Sequence, residues 1–386
     1  MIMHPLRITI VQGAFLPVPA LLGGAVEKVW YALGQEFARA GHNVVHFGRE
    51  HPELPAENND GGVRYRRVRG YDTPASLCRL KVLDLIYSLR VRRVLPVADI
   101  LVTNTFWLPL VERRTSRGRP YVHVARYPKG QMKLYPERAV LQTVSDPIRD
   151  AILQEVPDAG ARVRVVPYPL SPQYLVAMGE PRNVILYTGR IHPEKGLHLL
   201  IAAFLQLMEQ GLQGWTLRVI GPWRTEQGGG GADYREQLRS AAKKAGDAVE
   251  LMEPIFDEAA LVRQYRDAAI FAYPSLAERG ETFGLAALEA MAAGCVPVVS
   301  ALGCFSGFIK DGANGVVFDH RLTDPVAELT RRLTSLVQSP GRRAELRLAA
   351  WNTAREYTLP RIANELIADF RALVEPTPAL TASVLA

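Results

Sequence analysis

Residues 184–196 read Val-Ile-Leu-Tyr-Thr-Gly-Arg-Ile-His-Pro-Glu-Lys-Gly. The apolar run Val184–Tyr187 predicts a buried strand, Gly189 ends it, and residues 197–208 repeat apolar side chains at helical spacing. A strand, a short turn and a helix in that order are the unit of a parallel α/β sheet. Arg190 and Lys195 flank the turn at the carboxyl end of the strand, so both cations and the helix amino terminus can converge on one anion, for which a diphosphate is the natural size. A solvated loop with two surface cations is the plainer alternative.

The same alternation extends in both directions. Downstream, Thr216–Ile220, Val249–Leu251, Ile270–Tyr273 and Val296–Ser300 are strand candidates, with helices expected over 197–208 and 234–245. Upstream, Leu6–Val11, Val44–Phe47, Ile100–Thr103, Tyr121–Val124 and Leu141–Val144 repeat the pattern, and Val26, Val29, Trp30, Leu33 and Phe37 mark the first helix. Pro167, Pro169 and Pro172 interrupt the series. Two doubly wound α/β domains in tandem follow, over 1–168 and 169–357, with ligand expected at the carboxyl ends of the strands in the cleft between them. Residues 344–373 read as helical, and the proline-marked tail over 374–386 reads as disordered.

A chain of 386 residues, 48% hydrophobic and 22% charged, has globular composition and room for two cores. It lacks a run of eighteen apolar residues, and Arg7 breaks up the start, so neither a membrane span nor a secretory leader is expected and a cytoplasmic site is favoured. Three cysteines, Cys78, Cys295 and Cys304, do not have the spacing of a zinc site or redox pair; Cys295 reads as a small buried hydrophobe. Lysine and arginine exceed aspartate and glutamate by nine over residues 1–170 and fall short by two over 171–386. The basic first half attracts anions, whether a phospholipid surface, an acidic acceptor or a nucleic acid. Leu77, Leu80, Leu83, Ile86 and Leu89, with Arg79, Lys81, Arg90, Arg92 and Arg93, predict an amphipathic helix; Asp84 and its moderate length favour a core-packed helix over one resting on anionic lipid.

Two further constellations carry chemistry. Pro274-Ser275, Glu281-Thr282-Phe283-Gly284 and Glu289 follow a strand and open an alanine-rich helix, where an unpaired buried carboxylate is costly and ribose hydroxyls would satisfy it. Glu281, Phe283 and Gly284 can present a carboxylate and backbone amides to a polyhydroxy ligand. Gly23-Gly24 and Glu27 sit between the first strand and the first helix, where paired glycines admit close approach of a phosphate or make a tight turn. Gln227–Gly231, with four consecutive glycines, lacks the spaced pattern of a phosphate cradle and reads as a mobile surface loop.

Taken together, Gly-Gly-x-x-Glu at 23–27, Gly-Arg-x-x-x-x-Lys-Gly at 189–196, and Glu281-x-Phe283-Gly284 with Glu289-Ala290-Met291 resemble the retaining nucleotide-sugar glycosyltransferases of family 4. The resemblance runs from about residue 6 to 373. It implies the GT-B fold, two facing Rossmann-like domains with a cleft between them, and a last helix over 358–373 that crosses back onto the first domain. It implies that Arg190 and Lys195 bind the donor diphosphate in place of a metal ion and stabilise the leaving nucleoside diphosphate. Glu281 would hold the sugar hydroxyls and Glu289 the ribose. Gly23, Gly24, Gly189, Phe283, Gly284 and Leu285 would line the donor, and Pro254 and Ile255 would hold the nucleobase.

The family usually carries a histidine where Arg126 stands here; His123 lies three residues earlier, so both are candidates for the catalytic group of the first domain. Tyr168 replaces the family's common Asn, and Glu278–Gly280 are three additional residues before Glu281. The expected activity is retaining, metal-independent transfer of a hexose from a nucleotide diphosphate sugar, UDP-sugar favoured over GDP-sugar, to a hydroxyl of a glycan, a lipid-linked intermediate or a small polar acceptor, without a further cofactor. Peripheral contact with the inner membrane face remains open. A nucleotide-sugar epimerase of the same fold is the runner-up. A nucleic-acid-binding protein would need stacking aromatics among the cations, and a dehydrogenase a G-x-G-x-x-G after a strand; neither motif is present.

Overall fold

A computed structural model describes residues 4–74, 76–175 and 177–374. The strands are β1 (Arg7–Val11), β2 (Asn43–Arg49), β3 (Glu57–Asp60), β4 (Val63–Val68), β5 (Ile100–Thr103), β6 (Arg119–Val124), β7 (Val140–Thr143), β8 (Val163–Val165), β9 (Arg182–Thr188), β10 (Thr216–Ile220), β11 (Val249–Met252), β12 (Ala268–Tyr273), β13 (Val296–Ser300) and β14 (Val316–Phe318). The helices are α1 (Ala25–Arg39), α2 (Leu77–Val94), α3 (Leu108–Val111), α4 (Asp146–Glu155), α5 (Leu197–Glu209), α6 (Gly231–Ala242), α7 (Glu258–Asp267), α8 (Leu285–Ala292), α9 (Pro325–Val337), α10 (Pro340–Ala354) and α11 (Leu359–Val374).

The chain divides into two compact units. Among the described residues, the first holds 4–74, 76–144, 148–167 and 359–374; the second holds 145–147, 168–175 and 177–358. The sheet of the first unit has the order β3-β4-β2-β1-β5-β6-β7-β8, parallel except for the β3-β4 hairpin. The second sheet is wholly parallel, in the order β11-β10-β9-β12-β13-β14. Both orders reverse beside the first strand of the unit, between β1 and β5 and between β9 and β12, and an α/β sheet presents its binding crevice at such a switch point. The two doubly wound units agree with the expected fold class.

The first unit is packed on both faces of its sheet. Trp30, Leu33 and Phe37 of α1 are buried, and Phe370 of α11 meets Phe37 and Tyr121 edge-on. The stretch expected to be helical over 344–373 is interrupted: α10 ends at Ala354, a turn of 3-10 helix covers Arg355–Tyr357, and α11 restarts at Leu359, followed by Pro360 in its first turn, where the missing amide costs nothing. The expected tail from Glu375 onward lies outside the described residues.

Two features depart from the sequence expectations. The β3-β4 hairpin is additional; its turn signal, Asp60-Gly61-Gly62, was present, but the arginines alternating through Val63–Val68 mask the apolar pattern. On α2 the expected apolar stripe is split, with Leu80 and Leu83 half-buried. Asp84, Tyr87, Ser88 and Val91 face inward, while Leu77, Ile86 and Leu89 are exposed. The physical reason is Asp84, whose Oδ2 accepts the backbone N–H groups of Phe106 and Trp107 at 3.0 and 3.2 Å and so satisfies two donors at the start of α3.

Candidate active site

The second unit assembles its site from the loops that follow β9 and β12. Gly196, at φ +67°, caps α5, and a Cβ there would strike the carbonyl oxygen of Pro274, so only glycine permits this backbone approach. The Leu276 N–H also donates to the Glu194 carbonyl at 2.7 Å. These two contacts hold the loops together and place Lys195 opposite Glu281.

Lys195 is 4% exposed, and its Nζ donates to Glu281 Oε2 at 2.6 Å. The same oxygen accepts from Tyr273 OH and Ser275 Oγ, each at 3.2 Å. Burial and the Glu281 charge hold the Tyr273 phenol well above its ordinary pKa, so it remains a donor. A buried lysine whose carboxylate partner is itself held by two hydroxyls is a rigid element; removing one partner of a buried ion pair costs about 3–5 kcal/mol.

Arg190 lies toward solvent. Its Nη2 donates to Glu194 Oε1 at 2.7 Å and its Nη1 to the Gly228 carbonyl at 2.7 Å. Lys195 Nζ stands 4.0 Å from that same Glu194 oxygen, and His192 Nδ1 3.8 Å. One carboxylate oxygen thus marks a point within reach of both cations. The glycine stretch 227–231 is accordingly not a free loop: the Gly229, Gly230 and Gly231 amides donate to the carbonyls of Arg224, Ile191 and Trp223, and a Cβ on Gly229 would collide with the Trp223 backbone. Its role as a partner of Arg190 carries no sequence signal, because it works through a carbonyl.

Glu289 sits half-buried on α8, and its Oε2 accepts from Tyr265 OH at 3.3 Å. Tyr265 OH in turn meets Thr188 Oγ1 at 2.5 Å. Neither Tyr265 nor Thr188 stood out in the sequence; a tyrosine on a helical face reads as core, which it also is. Gly284 caps α8 and Leu285 is half-buried. The Phe283 ring is buried against Tyr168 and Phe308, at centroid distances of 5.5 and 5.3 Å, which leaves its backbone as the part that can face a ligand. Tyr168, unusual at its position, is the partner of that ring. Glu278, from the additional residues, pairs with His320 and Arg321. Gly189 follows β9, and Pro254 and Ile255 follow β11 at the same edge of the sheet.

In the first unit Gly24 has φ +105°, and a Cβ there would collide with the Glu27 carboxylate and Leu16. Burial pushes the Glu27 carboxyl up, and the positive charge of Arg126 partly offsets it, which places Arg126 within electrostatic range of Gly23-Gly24-x-x-Glu27. Arg126 is exposed. His123 is buried on β6, its Nδ1 at 2.5 Å from Gln142 Oε1 and its ring edge-on to Trp30 at 5.5 Å. Burial lowers its pKa to about 4, so it is a neutral imidazole at physiological pH. Cys295 is buried and donates to the Tyr265 carbonyl, and burial raises its thiol pKa, as befits a packing residue.

Comparison with known proteins bears on this geometry. Residues 176–353 match the family described as Glycosyl transferases group 1. The chain is 30% identical over 201 residues to D-inositol 3-phosphate glycosyltransferase 1 of Catenulispora acidiphila, a match covering 51% of this chain and 46% of that protein. It is 33% identical over 153 residues to lipopolysaccharide 1,2-N-acetylglucosaminetransferase of Salmonella typhimurium, covering 39% and 37%. The chain thus spans less than half the length of these relatives. Among solved structures, sucrose-phosphate synthase of Thermosynechococcus elongatus superposes with a TM-score of 0.74 at 20% identity, covering 95% of this chain and 99% of that one. Anabaena HepE in complex with UDP superposes with a TM-score of 0.70 at 15% identity, covering 95% and 100%. At these identities the likeness establishes the fold, which is GT-B.

Proposed function

We propose that the protein is a retaining glycosyltransferase of group 1 that moves a hexose from a nucleotide diphosphate sugar, UDP-linked, to a hydroxyl acceptor. The observation that carries the reading is the convergence of Arg190 and Lys195 within 4.0 Å of one oxygen, Glu194 Oε1, at the switch point of the second sheet. In this reading that carboxylate holds the place of a donor phosphate oxygen. When the donor arrives, Arg190 exchanges Glu194 for the diphosphate, and Lys195, kept in position by Glu281, Tyr273 and Ser275, meets the charge that grows on the leaving oxygen. The matched relatives are named for transfer of sugars, which supports transfer over epimerisation.

The reaction forms a bond between the acceptor oxygen and the anomeric carbon as the bond from that carbon to the diphosphate oxygen breaks. The acceptor proton passes to the leaving oxygen, and the nucleoside diphosphate departs. Arg190 and Lys195 supply the positive charge that a metal ion supplies elsewhere, so EDTA leaves the rate unchanged. Glu289, oriented by Tyr265, accepts the two ribose hydroxyls. Glu281 offers its second oxygen to the hexose, and the Phe283, Gly284 and Leu285 amides lie at the amino end of α8. The first unit supplies the acceptor side, with Arg126 and Glu27 at the Gly23-Gly24 turn as its charged groups.

The test is a melting-temperature screen with UDP, GDP and ADP followed by turnover with the matching sugar donors. UDP should give the largest stabilisation, as a ligand confined to the native state does. Anomeric analysis of the product by NMR reports retention. No stabilisation by any nucleoside diphosphate would remove the reading, and release of an isomerised nucleotide sugar would reassign it to an epimerase.

A further inference from the structure

We propose that the outward face of α2 is a docking surface for an anionic lipid bilayer. Helical spacing puts Cys78, Val82, Ile86, Leu89 and Arg93 on one line, opposite the buried line of Asp84, Tyr87, Ser88 and Val91. Val82 is 56% exposed, Ile86 36% and Leu89 37%, with Leu77 at 71% on the first turn. A helix of a soluble protein ordinarily turns its aliphatic residues inward and its acid outward; α2 buries Asp84 and leaves Val82, Ile86 and Leu89 exposed. An exposed aliphatic line of this length marks a surface that is covered by something.

Charge identifies the occupant. Arg79 and Arg90 border the aliphatic line on one side, Lys81 and Arg92 border it on the other, and Arg93 continues it, while the one acid of the helix, Asp84, is buried and engaged with the Phe106 and Trp107 amides. Lys81 lies over the Phe106 ring and Arg90 over the Tyr71 ring, so the rim cations stand at the edges of the face and do not cross it. Aliphatic side chains flanked on both sides by cations match the two layers of an anionic interface: acyl chains below and phosphates at the level of the guanidinium groups. A protein partner of matched charge would need acids around an aliphatic groove, and a second copy of this chain would set cation against cation. Among the described residues no helix is long and apolar enough to cross a membrane, so the contact is peripheral.

The experiment is co-sedimentation of the full chain with phosphatidylcholine vesicles, with and without phosphatidylglycerol. The chain pellets with the anionic vesicles and stays in solution with the neutral ones, and salt weakens the binding. The triple variant Val82→Ser, Ile86→Ser, Leu89→Ser loses about tenfold or more in partitioning. Arg79→Gln and Arg93→Gln each lose roughly fivefold, as expected for a cation at the headgroup level. Unchanged circular dichroism and melting temperature show that each variant remains folded, since all five side chains are exposed. The readout needs no sugar donor, so it is independent of the transferase reading. Failure to pellet with anionic vesicles at low salt overturns the proposal, as does pelleting that the triple variant leaves intact. A concentration-dependent dimer abolished by the triple variant would assign the face to a second copy instead.

Discussion

The carboxyl edges of the two sheets are built on the same plan and finished differently. In the second unit the switch point is closed by two ion pairs, Lys195 with Glu281 and Arg190 with Glu194, and by a carboxylate, Glu289, that accepts from the Tyr265 hydroxyl. In the first unit the residues that follow β1 and β5 are Gln12 and Asn104, and both polar atoms of each amide side chain are buried without a hydrogen-bond partner among the described residues. One edge holds ion pairs that keep its geometry before any ligand arrives; the other keeps neutral donors and acceptors in reserve. A diphosphate is nearly constant among donors, and a preformed pair of cations suits it. In the proposed function, the varied hydroxyls of an acceptor would meet these neutral amides.

This contrast can be broken by experiment. The largest effect is expected from Lys195→Ala, which removes the positive charge at the leaving oxygen and leaves Glu281 without its cation; transfer should fall about a thousandfold. The check is the initial rate at saturating donor, with a melting curve to separate lost chemistry from lost fold. Near-normal turnover would show that the ion pair is only structural. Next, Glu289→Ala should weaken UDP binding by about one to two orders of magnitude through lost ribose contacts, and Tyr265→Phe should reproduce a small part of that loss, because it removes one hydrogen bond to Glu289 and keeps the carboxylate. Calorimetric titration with UDP measures both; equal losses in the two variants would contradict the positioning role of Tyr265.

The first unit offers a test of stability instead. Burial raises the Asp84 pKa to about 6, against an ordinary value of 3.8. A carboxyl whose folded pKa is raised binds protons more readily in the native state, so its contribution favours folding below the ordinary value and is lost as pH rises through about 6. Asp84→Asn keeps an oxygen to accept the Phe106 and Trp107 amides and carries no charge. The variant should match the parent near pH 4 and exceed it at pH 7.5, by on the order of 2 kcal/mol. Denaturant titrations across that range decide it, and a gap that closes with rising pH would refute the burial argument.

The smallest effect sharpens the second edge. Glu194→Gln removes the carboxylate that occupies Arg190, and since a partly exposed pair of this kind contributes only a few tenths of a kcal/mol, UDP should bind about twofold tighter. Weaker binding would mean that Glu194 orients Arg190 and does not compete with the donor.

Much of the fold was legible because short-range rules write it. The strands around Val184–Tyr187 and Ile270–Tyr273 are apolar runs of strand length, and α1 and α5 keep helical spacing. Arg190, Lys195, Glu281 and Glu289 were legible as well, since a charge beside a glycine turn or on an alanine-rich helix is conspicuous. The hairpin of β3 and β4 was hidden by its arginines. Gly228 and Tyr265 were hidden because one acts through a carbonyl and the other doubles as core. The packing of the Phe283 ring against Tyr168 was hidden too, because the two residues lie far apart in the chain.

Alternation of strand and helix, the location of the glycine turns and the choice of charged residues beside them are thus properties of the linear chain, because each depends on neighbours within about one helical turn. The pairing of Lys195 with Glu281, 86 residues away, depends on β12 lying next to β9 and on the contact of Gly196 with Pro274. The burial of Asp84 on α2 depends on two backbone amides at Phe106 and Trp107 that need an acceptor. Those are long-range conditions. Periodicity cannot encode them, since a helix with apolar residues on one side does not specify which side the rest of the fold will claim.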